Sequence, residues 1–257
     1  MGTEPATSTV LSGGSRTLLS YRRQLARERH ISHVLQHAIQ PASSVVGDLA
    51  GLRVAVRCRA ADPVLRIGGD WYLVLPLANG DLVMAVGDVV GHGLRAVEAM
   101  IGLRYAMAAY AVEGHPPAMI LSHLNTLLIG AGNATTATAV VATFRPSTGQ
   151  IVWAGAGHPP LLLADRRRVV PLPSPAGPLL GAFSAPQYAQ EARQLLSGDS
   201  LLLYTDGMIK RGNFDHGIEL LADQLVGLDA HPAAILDRLD FGAARDDACA
   251  LLAQRLR

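Results

Sequence analysis

The chain is poor in lysine, in cysteine and in uninterrupted apolar runs. Lys210 is its only lysine, and with a net charge of +1 it carries no global field that would favour nucleic acid or an anionic membrane as partner. Two cysteines, Cys58 and Cys249, are too few for a disulfide scaffold or a thiolate metal site, so a reducing cytoplasm is the expected compartment. No basic start followed by an apolar run marks a signal peptide. The most apolar helix candidate, 94–112, is interrupted by Arg95, Glu98 and Arg104, which excludes it as a membrane span.

What is present suits a soluble globular protein: 257 residues, 49% of them apolar and 17% charged, are enough to bury a large core. Residues 1–14, rich in Ser, Thr and Gly, read as a flexible leader. Residues 15–41 read as a helix stopped by Pro41, with Leu18, Tyr21 and Leu25 on one stripe and Ile31, Val34, Leu35 and Ala38 on a shifted one. Such a broken stripe suits either a switching or dimerising element, which would make the protein a homodimer through this helix, or a helix that packs on the following domain. Residues 42–257 then form that domain.

From residue 52 the pattern turns to strands. "RVAVRCRA" alternates, placing Val54, Val56 and Cys58 on one face. "DWYLVLPL" and "DLVMAVGD" meet at Asn79-Gly80, a hairpin signal in which both turn positions take positive φ. Helices are expected over 94–112 and over "HPPAMILSHLNTLLIG", the second started by proline and ended by Gly130. Hairpins follow: "TATAVVATF" with "GQIVWAGA", "PLLLAD" with "RRVVPL", and "YAQEARQLL" with "SLLLYTDG" through Gly198-Asp199. After a helical stretch near 217–239 the chain closes on the strand "DDACALLAQRL". Hairpins with two consecutive helices inserted are not βαβ units; they define an α+β fold of packed antiparallel sheets with helices outside.

Acidic residues recur at one address, the end or start of an apolar strand: Asp70 in "IGGD", Asp88 in "AVGD", Asp206 in "LLYTDG", and Asp246 and Asp247 in "ARDDACALL". One aspartate beside a glycine is usually a turn residue. Several carboxylates converging from two sheets, with only Arg66, Arg245 and Lys210 nearby in sequence, need divalent cations to neutralise them. Oxygen ligands favour Mg²⁺ or Mn²⁺ over zinc. Two such ions can activate water and orient a phosphoryl group, so the residues point to metal-assisted hydrolysis of a phosphate ester.

"GGDWY", "VGDVVGHGLRA", "AGAGHPPLLL", "GPLLG", "LLYTDGM" and the late "DD" resemble, in order, the SpoIIE/RsbU-type branch of the metal-dependent protein phosphatases, which shares its fold with protein phosphatase type 2C. The resemblance runs from Arg53 to Arg257 and implies a four-layer α-β-β-α sandwich with metals between the sheets. It implies that Asp88 bridges two Mn²⁺ or Mg²⁺ ions, that Asp70 and the backbone carbonyl of Val89 complete one shell, and that Asp206 and Asp246 hold the other ion. Gly91 and Gly93 would let the chain turn sharply into the next helix. The bound hydroxide would attack a phosphoserine or phosphothreonine directly, on a partner such as a STAS-type anti-sigma-factor antagonist. Three positions depart from the family pattern: Leu73 stands where a second aspartate is usual, Lys210 where an acid is common, and "DDACALL" lacks the frequent threonine. Leu73 leaves a second reading open, a phosphatase-like binding module that acts by docking. A nucleotide hydrolase is disfavoured by the lack of a P-loop.

His92 is a candidate general acid for the leaving oxygen, or else a packing residue at the helix start. His158 in "AGHPP" reads as a turn and packing residue, Arg66 as a solvated strand residue or a phosphate contact, and His30, His33 and His37 as residues without metal partners.

Overall fold

The computed structural model describes residues 47–61, 67–132, 135–165, 167–209, 213–227, 230–241 and 246–256. The leader and helix expected over 1–41 lie outside these residues, as do Arg66, Lys210 and Arg245.

Period-2 alternation sets the layers, because successive side chains of a strand leave opposite faces. Strands β1 (Gly47–Leu49), β2 (Leu52–Arg59), β3 (Trp71–Pro76), β4 (Leu82–Val89), β5 (Ala137–Arg145) and β6 (Gln150–Ala156) are followed by β7 (Leu162–Ala164), β8 (Val169–Pro171), β9 (Glu191–Gln194), β10 (Ser200–Tyr204) and β11 (Ala248–Arg255). A six-stranded sheet runs β1-β2-β11-β10-β7-β8 and a five-stranded sheet β3-β4-β5-β6-β9, with antiparallel pairing throughout. One core fills the space between them. It takes Val54 and Val56, Tyr72, Leu82, Met84 and Val86, Val140, Ala142 and Phe144, Leu201 and Leu203, and Cys249, Leu251 and Ala253. Every one of these is two residues from the next on its strand.

The intervening residues of the six-stranded sheet, among them Ala55, Leu202, Tyr204, Ala250 and Leu252, pack on its outer face. They meet α3 (Phe214–Leu225) and α4 (Pro232–Arg238) through Leu221, Leu225, Ile235 and Leu236. The five-stranded sheet is covered by α1 (Leu94–Val112), against β3 and β4, and α2 (Pro117–Gly130), against β5 and β6. Met100, Leu103 and Met107 of α1 and Ile120, Leu121 and Leu124 of α2 are fully buried there. Pro117 starts α2, where its missing N–H costs nothing. The α-β-β-α sandwich is therefore the fold. No helix among the described residues is long and apolar enough to cross a membrane.

Two local expectations change. The segment 191–194 does not pair with β10: β9 pairs with β6 in the other sheet, and the chain crosses between sheets at Leu195–Asp199. Fully buried Leu195, whose N–H donates to the Gly149 carbonyl, anchors that crossing, and Gly198 turns it. In the β3–β4 hairpin only Gly80 has a positive φ, 91°; the Asn79 side chain instead accepts from the Asp81 N–H at 3.0 Å, giving a three-residue loop with a left-handed glycine at its end. The helix α2 ends at Gly130, as its sequence indicates, and the left-handed residue after it is Gly132.

The cysteines, read as too few to crosslink a scaffold, face each other in register on β2 and β11 with Cα atoms 4.0 Å apart and are joined as a disulfide. Cys249 spends both its N–H and its carbonyl on Thr205, so the Cys58–Cys249 pair is a non-hydrogen-bonded one, the closer of the two antiparallel spacings.

Gly87 on β4 is required by the Trp71 indole, which lies across it from the neighbouring strand. A Cβ there would overlap the ring and sit 2.7 Å from the Thr138 carbonyl. Gly87→Ala is expected to lower stability by about 1–3 kcal/mol through overpacking, measured by urea denaturation against the wild type. Full wild-type stability would show that the indole has room to move.

Candidate functional site

The same alternation that builds the core carries its rows out to one end of the sandwich, where they turn polar. Leu82, Met84 and Val86 lead on β4 to Asp88; Val140 leads back on β5 to Thr138; Leu201 and Leu203 lead on β10 to Thr205; Cys249 leads back on β11 to Asp247; Tyr72 leads back to Asp70. Five strands from both sheets thus deliver polar groups to the same mouth.

Asp70 is 4% exposed and Asp88 half-buried, while Asp206 and Asp246 stand exposed at the rim. Thr205, fully buried, donates from Oγ1 to Asp70 Oδ2 at 2.7 Å and accepts from the Cys249 N–H at 2.9 Å. Asp247 accepts from the N–H of Ala61 (2.7 Å) and of Gly69 (2.8 Å), so it straps the loop that carries Asp70. That loop lies against β4: Val89 donates to the Gly69 carbonyl at 3.2 Å, and a Cβ on Gly69 would sit 2.6 Å from the Val89 carbonyl and 3.1 Å from Asp88 Oδ1. Beyond Val89 the chain bends through Gly91 (φ 116°) and Gly93 (φ 78°) into α1, the turn expected from the glycines. His92 lies exposed between them.

The carboxylates raise one another's proton affinity. Burial, then Asp88 and Asp247, hold Asp70 well above the usual carboxylate range. Burial, then Asp206, Asp246 and Asp247, push Asp88 up to about 7. Asp206 is also raised, by partial burial and then by Asp246. Among the described residues the arginine ion pairs lie elsewhere, at Asp48, Asp237, Asp81 and Asp165. No three His, Cys, Asp or Glu side chains among the described residues are drawn together tightly enough to hold a metal ion as they stand. The structure therefore brings Asp70, Asp88, Asp206 and Asp246 into electrostatic contact without closing them into a finished coordination shell. As a donor set, though, carboxylate oxygens fit hard divalent cations.

Leu73 is 6% exposed on β3 and belongs to the face opposite Tyr72, away from the inter-sheet core, so its lack of a carboxyl removes nothing from the row that carries Asp70. Sequence reasoning passed over Thr205 and Thr138 and gave Asp247 no separate role. The signal available for all three was their even spacing from core residues on their strands. His158, read as packing, is buried and hydrogen-bonded at both ring nitrogens.

The fold and this mouth define a PPM-type, protein phosphatase 2C-like domain. Residues 78–256 match the family model for Stage II sporulation protein E (SpoIIE), and the chain belongs to that family. It is 27% identical over 188 residues to phosphoserine phosphatase RsbU of Bacillus subtilis strain 168, covering 70% of this chain and 56% of RsbU. It is also similar to the RsbU and RsbW domains of Rv1364c from Mycobacterium tuberculosis, with 29% identity and a TM-score of 0.73 over 83% of this chain and 62% of that one. RsbX in complex with magnesium shares the fold at 19% identity and a TM-score of 0.62, over 79% and 94% of the two chains. The chain thus spans less than two thirds of the length of the first two.

The raised carboxylates have a consequence for stability without metal. A folded-state pKa above the unfolded 3.8 means the folded protein binds more protons, so stability falls as pH rises, through about 7 for Asp88. His158, lowered from 6.5 to about 4, contributes the opposite slope, but only below pH 6.5. In EDTA the melting temperature is expected to fall between pH 6.5 and 8, and the fall should shrink in Asp88→Asn. A wild-type melting temperature that stays level or rises over that interval would contradict it.

Proposed function

We propose that this domain is a Mn²⁺- or Mg²⁺-dependent serine/threonine protein phosphatase. The observation that carries the reading is the row of mutually repelling carboxylates at the end of the inter-sheet core, with no cationic partner among the described residues. Asp70, Asp88 and the Val89 carbonyl would hold one ion, and Asp88, Asp206 and Asp246 a second. Bound, the ions would neutralise the cluster and supply Lewis-acid activation of water and of the phosphoryl oxygens. Asp247 and Thr205 keep the Asp70 loop seated beside these carboxylates. His92, exposed at the adjoining turn, is the proposed proton donor to the leaving oxygen.

The substrate we propose is a phosphoserine or phosphothreonine on a STAS-type anti-sigma-factor antagonist, in a partner-switching circuit. Similarity to RsbU and to a chain that joins RsbU and RsbW domains supports this. The magnesium bound by RsbX, a structural relative, supports the choice of cation. Residues 15–41 would then be a switching or dimerising element ahead of the phosphatase domain.

Hydrolysis of p-nitrophenyl phosphate with and without Mn²⁺ tests the reading. Turnover is expected to require Mn²⁺ and to drop by about 100-fold or more in Asp88→Asn and in Asp206→Asn. A folded wild type with no turnover at millimolar Mn²⁺ would instead favour a docking module without catalysis.

A further inference from the structure

We infer that His158 is a positioning residue, a neutral crosspiece that fixes the separation of the two sheets beside the carboxylates and thereby sets how tightly they hold a divalent cation. The inference rests on the metal reading above. His158 follows β6 and is 6% exposed. Its Nδ1 lies 2.9 Å from Thr138 Oγ1 on β5, and its Nε2 lies 2.9 Å from the Tyr204 carbonyl on β10. The first partner belongs to the five-stranded sheet and the second to the six-stranded one, so a single imidazole spans the gap.

The chemistry of the partners fixes the tautomer. A carbonyl only accepts, so the proton sits on Nε2, and Nδ1 accepts from the Thr138 hydroxyl. Burial holds the imidazole near pKa 4, so the ring stays neutral and this arrangement persists at working pH. Each end of the crosspiece is one step from the cluster. Thr138 is the cross-strand partner of Asp88, and directly opposed side chains share a face. Tyr204 immediately precedes Thr205, whose hydroxyl holds Asp70, and Asp206 follows.

Other side-chain bonds that tie the two halves together here, Thr205 to Asp70 and Gly69 to Asp247, use the carboxylates themselves. His158 makes its crossing without occupying one. The apolar core below is non-directional and tolerates small sliding of the sheets, whereas two hydrogen bonds to a rigid ring do not. The groups that orient metal ligands typically change affinity by about 10- to 100-fold when removed.

The test is calorimetric titration of Mn²⁺ into the full chain, paired with thermal melts in EDTA. Thr138→Val, which removes the hydroxyl in a strand-favouring side chain of similar shape, is expected to weaken Mn²⁺ binding by about 10-fold, and Thr138→Ser to restore it. His158→Ala should weaken binding at least as much, and if it fails to fold the Thr138 pair decides alone. Loss of melting temperature in EDTA with wild-type Mn²⁺ affinity in Thr138→Val would mean a purely structural role and would overturn the inference. Absence of saturable Mn²⁺ binding in the wild type is a different result: it removes the metal reading itself, and the inference with it.

Discussion

Electrostatic repulsion among Asp70, Asp88, Asp206, Asp246 and Asp247 is the constraint around which the end of this sandwich is arranged. Carboxylates next to a dry core lose their hydration and, with no cationic partner among the described residues, resist ionisation. The raised proton affinity of Asp70, Asp88 and Asp206 is the direct expression of that cost. Much of the surrounding structure keeps the group in place despite it. Thr205 gives Asp70 a donor, and Asp247 spends its own oxygens on the backbone of Ala61 and Gly69. A chain optimised only for stability would carry apolar residues at these positions, since replacing buried charges by packed hydrophobic groups is commonly neutral or stabilising. Their presence is a stability cost that a bound cation would offset.

The two-sheet core makes such a cluster possible. Apolar rows from both sheets run parallel enough that extending each by one alternate residue brings β3, β4, β5, β10 and β11 to one mouth. Sequence-distant aspartates, 70 and 247, meet because β2 pairs with β11 and the loop after β2 returns under β11's start.

Most of this was legible in the sequence. Alternation marked the strands, proline and glycine marked α2, and the strand-end aspartates stood out because an acid next to an apolar run is costly. Pairing was harder. The segment 191–194 is fully exposed and has no apolar rhythm, so nothing local shows that it joins β6 and not β10; the answer lies in buried Leu195, which commits the crossing to the gap between sheets. The type of the 77–81 turn depended on whether the Asp81 N–H went to the Ala78 carbonyl, as in a two-residue turn, or to the Asn79 side chain, which residue identity alone does not decide. Nor could spacing show that Cys58 and Cys249 fall opposite each other, since that follows from the register of two strands 191 residues apart.

The residues that sequence reasoning passed over, or in the case of His158 read only as packing, share a chemical trait: they are neutral. Thr138, His158 and Thr205 carry no charge at the mouth, and a neutral polar residue on a strand looks like any other. Their significance comes from burial, since a buried hydroxyl or imidazole must find partners, and these three find them across the sheets and on the carboxylates. The charged residues can then answer to a ligand while neutral ones bear the geometry. If the Thr205–Asp70 bond alone tied the sheets together here, a cation taking up the Asp70 carboxylate would compete with it. With His158 holding Thr138 to Tyr204, Asp88 is free to change partners without loosening its strand. That separation of tasks is what lets a repelling cluster persist at the edge of a closely packed core.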